Sequence, residues 1–485
     1  MAFLERNANR GSIPTGPYEI DNSCVFIDTD RSSTGNGANS HLHFTPSSTG
    51  NRKVGTFSAW VKRSHIDSIG AMFSSGQNDQ HFRFQSTGIN IRDYNESTQL
   101  HTDGIYRDTA AYYHFVMAVD TTQGTAANRL KLYINGEQIT SFSTETYPTQ
   151  NQDWNFNYTG NKMFIGARRW HNDDVIQGFD GYMADVHWID GTQKAATDFG
   201  KYDDNGVWVA KAYSGAYGTN GCHLTFDNAS DLGEDSSGNG NDWTLVNISS
   251  SNQATDNPTN NFCTMNELHR INGNIKTHKG GTEVTTDGGS GWCSMLGTMA
   301  MSAGKWYWEA LVFNNSDALT VYVGIAPHND PYVPHHQTGY YLGNVETAGS
   351  MGWYLNDGSN KNQNGTWGNP GQGDKIMIAY DADNYKLYYG INGTWGNSAN
   401  PANGTGSVTA ISSYWMSALK DPLDFVLPAV TVYQGKYMKG FNFGGYNSWT
   451  VASGNADANG YGNFEYAPPT GFYALCTKNL AQYGG

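Results

Sequence analysis

Short runs in which apolar and polar residues alternate, each followed by turn-forming residues, recur along the whole chain. In one of them, residues 129–134 place every second side chain on an apolar face just before Asn135-Gly136, a dipeptide typical of two-residue β-hairpins. Period-two alternation sends successive side chains to opposite faces of a strand, so that one face can be buried. A chain of such units folds by packing antiparallel sheets against each other. Comparable runs occupy residues 57–62, 114–119, 163–166, 181–188, 305–312, 319–325, 375–380 and 386–391.

Length and composition favour two all-β domains. The chain has 485 residues, more than one hydrophobic core usually organises. Its 58 glycines suit turns and its 13% of aromatic residues suits strands, whereas charged residues reach only 15%. This composition excludes a helical bundle, and the aromatic content excludes wholesale disorder. We therefore predict an all-β fold of two β-sandwich (jelly-roll) domains with very little helix.

A polar stretch between residues 227 and 261 marks the predicted domain boundary, because strand-like runs stop before it and resume after it. The first twenty residues show neither helical nor period-two order and are interrupted by glycine and proline. We expect them to form an extended arm that contacts a partner. The predicted organisation is an N-terminal arm (1–20), a first sandwich (21–255) and a second sandwich (256–485).

Charge and cysteine content exclude several kinds of partner. The net charge of −15 repels phosphate backbones and anionic lipid surfaces, so we expect neither nucleic acid nor a membrane as a partner. No window approaches 18 apolar residues, the length of a membrane-spanning helix. The expected protein is made in a cytoplasm and stays soluble. Five scattered cysteines without a C-x-x-C pair indicate buried thiols rather than a disulfide scaffold or a zinc knuckle: Cys24, Cys222, Cys263, Cys293 and Cys476.

Each half of the chain shares segments with a known family. Through TFSAWVK at 56–62, LYING at 132–136 and GFDGYMADV at 178–186, the first half resembles a concanavalin-A-like jelly roll of the laminin-G-like group. The second half resembles a SPRY domain, another β-sandwich, in five blocks that follow one another in the expected order. These blocks are GKWYWE at 304–309, YVGIA at 322–326, GDKI at 373–376, LYYGING at 387–393 and LPAV at 427–430.

The combination of these two domains resembles structural and adhesin-like proteins of tailed, especially marine, bacteriophages. Segments such as GNRK at 50–53 and PPTGFYAL at 468–475 contribute to this resemblance. It implies a virion component at the virion surface, in a tail fibre or another appendage, with other virion proteins as partners. Fibres of this kind are commonly symmetric, so the resemblance also implies a homo-oligomer, for which we expect a trimer.

No catalytic residue is predicted. Glycoside hydrolases need two carboxylates about 5–10 Å apart around the scissile bond, and acids at i, i+2 and i+4 of a strand would supply them. No such run exists here, because Glu309 is solitary while Asp180 and Asp185 are five residues apart. The SPRY-like block that contains Glu309 assigns it a structural role. Nucleophile elbows, P-loops and dinucleotide fingerprints are also missing from the sequence, so we do not expect an enzyme.

Loop carboxylates leave a calcium site open. Laminin-G-like domains often hold one Ca²⁺, an ion that needs six to eight oxygen ligands. Asp173 and Asp174, and the acidic loop 235–242, are oxygen-rich enough to contribute. The alternative is that both loops are solvated turns closed by Asx hydrogen bonds. Apart from Ca²⁺ at Asp173 and Asp174, no cofactor is expected.

Tryptophans in loops are the candidate ligand contacts. The segment Asn-Gly-Thr-Trp-Gly-Asn occurs at 364–369 and again at 392–397, where glycines beside each ring let a ligand approach closely. Flat rings beside asparagine suit the apolar faces and hydroxyls of sugars, although the SPRY resemblance implies peptide or protein ligands equally well. Alternatively, the two segments are similar turns of one sheet. The candidate ligand-binding residues are Trp367, Trp395, Trp170, Asn364 and Asn392.

These observations give one functional hypothesis and one rival. The hypothesis is a non-enzymatic phage virion appendage, of the tail-fibre or receptor-binding type, that recognises a host-surface glycan or protein. The rival is a structural head-decoration or tail/collar protein whose sandwiches bind other virion proteins. Exposed loop tryptophans would favour recognition.

Overall fold

The computed structural model describes residues 18–28, 39–66, 69–76, 80–86, 88–93, 98–169, 175–271, 275–286, 292–312, 321–327, 351–354, 360–361, 368, 370–407, 425–433 and 437–484. Their regular structure is almost wholly β, with one α-helix, α1 (Thr477–Tyr483), and short 3-10 turns. The chain divides into two compact units, of which the first ends at Thr259 and the second begins at Asn260. The predicted all-β class, two sandwiches with very little helix, is confirmed.

The first unit is built from two large sheets. Its strands are β1 Ser23–Phe26, β2 His41–Phe44, β3 Val54–Arg63, β4 Gly70–Ser75, β5 Gln80–Gln85, β6 Gly88–Asp93, β7 Thr98–Thr102, β8 Tyr113–Asp120, β9 Leu130–Ile134, β10 Glu137–Ile139, β11 Phe142–Thr146, β12 Met163–Ile165, β13 Arg168–Arg169, β14 Val175–Ile176, β15 Gly181–Asp190, β16 Gly200–Tyr202, β17 Trp208–Ala210, β18 Cys222–Leu224, β19 Thr244–Val246 and β20 Gln253–Ala254. Sheet A has the order β10-β9-β8-β3-β15-β1-β20, with β18 also paired to β15. Sheet B has the order β11-β7-β6-β5-β4-β12-β2-β19.

Alternation along the strands assigns the two faces of sheet A. Phe57 and Val61 of β3 face a core that also contains Phe82 of sheet B. Trp60, on the opposite side of β3, joins a second apolar cluster with Phe199 on the other face of sheet A. Both faces of sheet A are therefore covered, and this explains why β3 is buried along nearly its whole length.

The second unit is also a sandwich. Its strands are β21 Met265–Ile271, β22 Ile275–His278, β23 Glu283–Thr286, β24 Trp292–Gly297, β25 Lys305–Leu311, β26 Val321–Pro327, β27 Met351–Tyr354, β28 Asn360–Lys361, β29 Lys375–Asp381, β30 Lys386–Ile391, β31 Thr394–Trp395, β32 Val426–Tyr433, β33 Tyr437–Lys439, β34 Phe441–Asn442 and β35 Tyr473–Ala474. Sheet C has the order β21-β24-β32-β26-β27-β28, and sheet D the order β31-β30-β29-β25-β34, with β35 parallel to β25. Trp306 and Trp308 of β25 lie in the core of this unit.

An Asn-Gly turn closes a hairpin in each unit. Asn135 and Asn392 have φ angles of +49° and +47°, and their following glycines have +87° and +85°, the mirror-image turn geometry that favours Asn-Gly. Each asparagine side-chain oxygen accepts a hydrogen bond from a neighbouring strand: from the backbone N–H of His114 for Asn135 (2.7 Å), and from that of Lys375 for Asn392 (2.9 Å). The asparagine therefore contributes both the backbone geometry and a side-chain link to the sheet.

Other sequence predictions concern the thiols and the N-terminal arm. All five cysteines are buried and none forms a disulfide, as expected. Residues 1–17 of the predicted arm lie outside the described residues. Tyr18 and Ile20 belong to the first unit, where the Ile20 N–H donates a hydrogen bond to Thr259 Oγ1 at 2.9 Å. None of the helices in the described ranges has the length and apolar character that crossing a bilayer requires.

A buried ion pair attaches the last segment of the first unit to sheet A. Lys62 Nζ lies 2.8 Å from Asp256 Oδ2, and both side chains are 1% exposed. The Asp256 carbonyl also accepts hydrogen bonds from Tyr112 Oη at 2.7 Å and from Ser23 Oγ at 2.6 Å. Because a buried charge that loses its partner is costly, the pair fixes this segment against β3.

We expect Lys62→Met to lower the free energy of unfolding of the first unit by about 3–5 kcal/mol, because it leaves the Asp256 carboxylate buried without its cation. Urea unfolding of the full chain measures this loss. The control is Lys53→Met, which removes another lysine–aspartate pair; Lys53 Nζ lies 2.6 Å from Asp153 Oδ1, but its side chain is 36% exposed. That change should cost less than about 1 kcal/mol. Equal losses of unfolding free energy in the two variants would contradict the stabilising role of the buried Lys62–Asp256 pair.

Candidate functional site

One face of sheet B carries polar side chains on four adjacent strands. In β5, β6 and β7, core residues such as Phe82, Ile91 and Leu100 alternate with polar residues that face the other way. The pairing register aligns those polar residues, together with two threonines of β11, into two cross-strand rows. We call this surface the polar face. Its first row is Thr146, Gln99, Arg92 and His81, and its second row is Thr144, His101, Asn90 and Arg83.

The polar face passes from exposed to buried along each row. The threonines of β11 are exposed, and Gln99, His101 and Arg92 are half-buried. The two residues contributed by β5 are at most 5% exposed. Because adjacent strands lie about 4.8 Å apart, each row presents hydrogen-bonding groups at regular intervals of that size.

Hydrogen bonds hold the buried end of the polar face in place. His81 Nε2 lies 3.0 Å from Asn90 Oδ1. Arg83 and Arg168 both donate to Gln177 Oε1, at 2.6 Å and 3.0 Å respectively. Shared acceptors of this kind fix the guanidinium groups in one orientation, so the charges at this end of the rows are positioned in advance.

Arginine supplies positive charge on the polar face, whereas the buried His81 does not. Burial, and then the nearby charges of Arg83, Arg168 and Arg92, hold the pKa of His81 well below its ordinary value. This ring is therefore neutral at neutral pH. Arg92 and Arg83 thus contribute guanidinium groups to the polar face, in a chain whose net charge is −15. Such a surface suits ligands that carry hydroxyl or carboxylate oxygens.

The polar face was not predicted from the sequence. Its signal is present as a repeated polar alternation, in His81 and Arg83, then in Asn90 and Arg92, then in Gln99 and on to the next strand. Alternation alone shows only that each strand has a polar side. The pairing register decides whether those sides form one surface, and a single sequence does not reveal the register.

Most of the residues predicted for ligand or metal binding cannot be placed on the fold. Three predicted ligand-binding residues and both calcium candidates lie outside the described residues: Trp367, Trp170, Asn364, Asp173 and Asp174. Of the predicted site residues, the structure therefore places only Asn392 and Trp395, and both belong to the second unit, whereas the polar face belongs to the first.

Asn392 and Trp395 both take part in the structure of their hairpin. Besides accepting from Lys375, the exposed Asn392 side chain donates to Asp374 Oδ1 at 2.7 Å. The Trp395 ring is half-buried and lies edge-on to the buried ring of Tyr307, with 6.5 Å between ring centroids. These contacts favour the interpretation of 392–397 as a structural turn.

The acidic loop 235–242 is closed by its own hydrogen bonds. Asp235 Oδ1 accepts from the backbone N–H groups of His223 (2.9 Å) and Ser237 (2.8 Å), and Oδ2 accepts from that of Asn241 (2.9 Å). N–H groups directed at both oxygens stabilise a negative charge but face a cation unfavourably. The arrangement favours the Asx-turn interpretation over calcium binding.

Glu309 is a fully buried carboxylate with four hydrogen-bond donors around it. It accepts from Tyr307 Oη (2.9 Å), Asn442 Nδ2 (3.1 Å) and the backbone N–H groups of Glu465 (2.9 Å) and Tyr466 (2.8 Å). Burial raises the pKa of Glu309, and these bonds oppose the shift. The network joins β25 to the C-terminal segment of the unit, which fits the structural role expected for this residue.

The sandwich of the first unit has a counterpart among known families. Residues 36–197 match the Laminin_G_3 family model, described as the concanavalin A-like lectin/glucanases superfamily. The first unit has a concanavalin A-like lectin fold. Comparison with curated protein sequences gave no match.

Solved structures with similarity to this chain belong to several sandwich proteins. The SPRY domain of human HERC1 is 14% identical, with a TM-score of 0.26, and the match covers 36% of this chain and 92% of that one. A heptameric SAP-like pentraxin from Limulus polyphemus is 16% identical, with a TM-score of 0.28 and coverage of 36% and 78%. The CBM40 of the Ruminococcus gnavus IT-sialidase, solved with α2,3-sialyllactose, is 17% identical, with a TM-score of 0.21 and coverage of 27% and 73%.

Trp395→Ala should lower the free energy of unfolding of the second unit by roughly 2 kcal/mol, about half the cost of truncating a fully buried tryptophan. The control is Thr394→Ala, an exposed neighbour in the same hairpin, which should change stability by less than about 0.5 kcal/mol. Calorimetric melting of both variants gives the comparison. An unchanged melting temperature for Trp395→Ala would instead support the ring as a ligand contact.

Proposed function

We propose that the first unit binds carbohydrate on the polar face and does so without catalysis. The observation that carries this proposal is the pair of aligned rows, which present hydroxyl, amide, imidazole and guanidinium groups on one face of a lectin-type sandwich. Sugars offer closely spaced hydroxyls, and rows of donors and acceptors at strand spacing complement them. None of the eight residues is a carboxylate, whereas glycoside hydrolysis needs two.

The chemistry of the polar face favours an acidic sugar. The half-buried Arg92 and the buried Arg83 place positive charge on adjacent strands, and guanidinium groups form paired hydrogen bonds with carboxylates. The entry side of the face is the edge strand β11, where the threonine hydroxyls are exposed. A glycan that carries carboxylate groups would meet neutral donors first and positive charge further in.

The proposed biological setting is a bacteriophage appendage at the virion surface, with other virion proteins as partners in a symmetric homo-oligomer. This part rests on the phage-like resemblance of the sequence. Binding of a host-surface glycan is the role that is consistent with both the phage-like resemblance and the lectin fold. Locating the chain in a virion tests the setting: a distal tail position supports it, whereas contacts within the capsid lattice would support the rival structural role.

Binding of the full chain to an array of neutral and acidic glycans, followed by titration calorimetry with the best ligand, tests the polar face. Gln99→Ala and His101→Ala should each weaken binding on the order of tenfold, because each removes a hydrogen bond at the partly exposed middle of a row. Mass analysis after incubation should recover the glycan intact, since no cleavage is expected.

The matched control is Gln138→Ala, which truncates an exposed glutamine on β10 of sheet A, away from the polar face. Its affinity should equal that of the unaltered chain. Binding that is equally strong in all three variants would place the ligand elsewhere. An unaltered chain that binds no glycan, or one that cleaves its ligand, would refute the proposal.

A further inference from the structure

Three side chains with metal-binding atoms meet on the face of sheet A that lies opposite the core. Asp185 and His187 belong to β15, and His223 belongs to β18, where the pairing register sets it directly opposite His187. The two imidazole rings are stacked, with 4.2 Å between centroids and 14° between planes. We call these three residues the Asp-His-His cluster. One ligand atom from each lies within 4.8 Å of the others.

The ligand atoms of the cluster converge on the Asp185 carboxylate. His223 Nε2 lies 2.7 Å from Oδ1, and His187 Nε2 lies 3.2 Å from Oδ2. Two imidazole nitrogens therefore face the two oxygens of one buried carboxylate.

The ring of His187 is buried, with 1% of the residue exposed. Its Nδ1 lies 3.0 Å from Tyr217 Oη and is hydrogen-bonded there, which fixes the orientation of the ring. Its Nε2 lies 3.2 Å from Asp185 Oδ2, within ion-pair distance, and is buried without a hydrogen bond. Because Tyr217 holds the ring and Nε2 makes no hydrogen bond, this nitrogen is oriented to coordinate a metal ion.

We propose that Asp185, His187 and His223 bind one divalent transition-metal ion of the Zn²⁺ class. Imidazole nitrogen and carboxylate oxygen are ligands that Zn²⁺ prefers, at distances of about 2.0–2.2 Å. Ligand atoms held at such distances in a tetrahedron lie about 3.3 Å apart, close to the separation between His187 Nε2 and Asp185 Oδ2. Two nitrogen ligands disfavour Ca²⁺, which selects oxygen.

Neighbouring tyrosines supply the outer contacts that metal ligands normally have. Tyr217 holds the ring of His187 through Nδ1, and Tyr18 Oη donates to Asp185 Oδ1 at 2.9 Å. The fourth position falls to water, since the His223 side chain is 15% exposed and opens the cluster to solvent. To coordinate the ion, His223 Nε2 must give up its 2.7 Å contact with Asp185 Oδ1.

The site would link elements that are distant in the sequence. One ion would join β15 to β18, and Tyr18 would be tied to both through Asp185. The polar face lies on sheet B, so the metal would take no part in the proposed glycan contacts. Metal binding would thus stabilise the first unit independently of the proposed function.

Calorimetric titration of the tag-free, chelator-treated full chain with ZnCl₂ alone tests the site. We expect one equivalent to bind per chain and the melting temperature of the first unit to rise with Zn²⁺. Asp185→Asn and His223→Gln should each weaken binding at least about tenfold and remove the thermal shift. Because His223 is partly exposed, His223→Gln keeps the test valid if the change at the buried aspartate prevents folding. Titration with CaCl₂ should give no binding heat that depends on these residues and no rise in the melting temperature.

The control variant is His278→Gln, which replaces another half-buried histidine, located in the second unit and outside the cluster. Its Zn²⁺ affinity should match that of the unaltered chain. The proposal is overturned if the unaltered chain does not bind Zn²⁺, or if the cluster variants bind it as tightly as His278→Gln does. Preference for Ca²⁺ over Zn²⁺ at the cluster would overturn it as well.

Discussion

An extra residue in the middle of β15 determines which side chains of this strand face the core. Pairing with β3 is regular up to Ala184 and resumes at His187, and Asp185 between them has a φ of +49°. This is a β-bulge. Met183 before it and Trp188 after it both face the core, although they are five residues apart and a regular strand would send them to opposite faces. The bulge lets one long central strand serve two apolar layers.

The same bulge explains why polar groups lie so close together on the outer face of sheet A. By shifting the alternation, it turns His187 outward, where the ring packs against Phe199 and Tyr217. A non-glycine residue with positive φ costs of order 1–3 kcal/mol and persists only where its surroundings fix it. Hydrogen bonds from Tyr18 and His223 to the Asp185 carboxylate provide that fixation. Local strain and the Asp-His-His cluster are thus two consequences of one inserted residue.

How much the sequence could predict depends on whether the information was local. The Asn135-Gly136 hairpin was predictable because its turn geometry is a property of two residues. The burial of Trp306 and Trp308 was predictable because both follow one strand's alternation. The sequence alone did not decide the role of Asn392, because asparagine is equally suited to a turn and to a ligand contact. Its bonds to the neighbouring strand favour the turn.

The two candidate sites escaped sequence analysis for a different reason. The polar face exists only because strands β5, β6, β7 and β11 pair in one particular register, and a shift of one residue would scatter its rows over both faces. The Asp-His-His cluster needs both a bulge in β15 and the arrival of β18, which lies more than thirty residues later. Asp185 was considered only as a partner for Asp180, five residues away in sequence. Spacing along the chain was the wrong measure for it.

The graded burial of the polar face bears on how tightly it could hold a ligand. Ordering a mobile side chain on binding makes the binding free energy less favourable by about 0.5–1.5 kcal/mol for each long side chain. At the inner end of the rows the side chains are already ordered in the folded protein, so a ligand does not have to order them. Arg83 and Arg168 share Gln177 as an acceptor, and His81 is hydrogen-bonded to Asn90. Only the outer residues, such as Gln99, remain to be ordered by a ligand. Threonines at the entrance lose little on ordering because their side chains are short. If the proposed sugar binds there, fewer side chains would have to be ordered on binding than in a mobile loop, and the free-energy cost of ordering would be smaller.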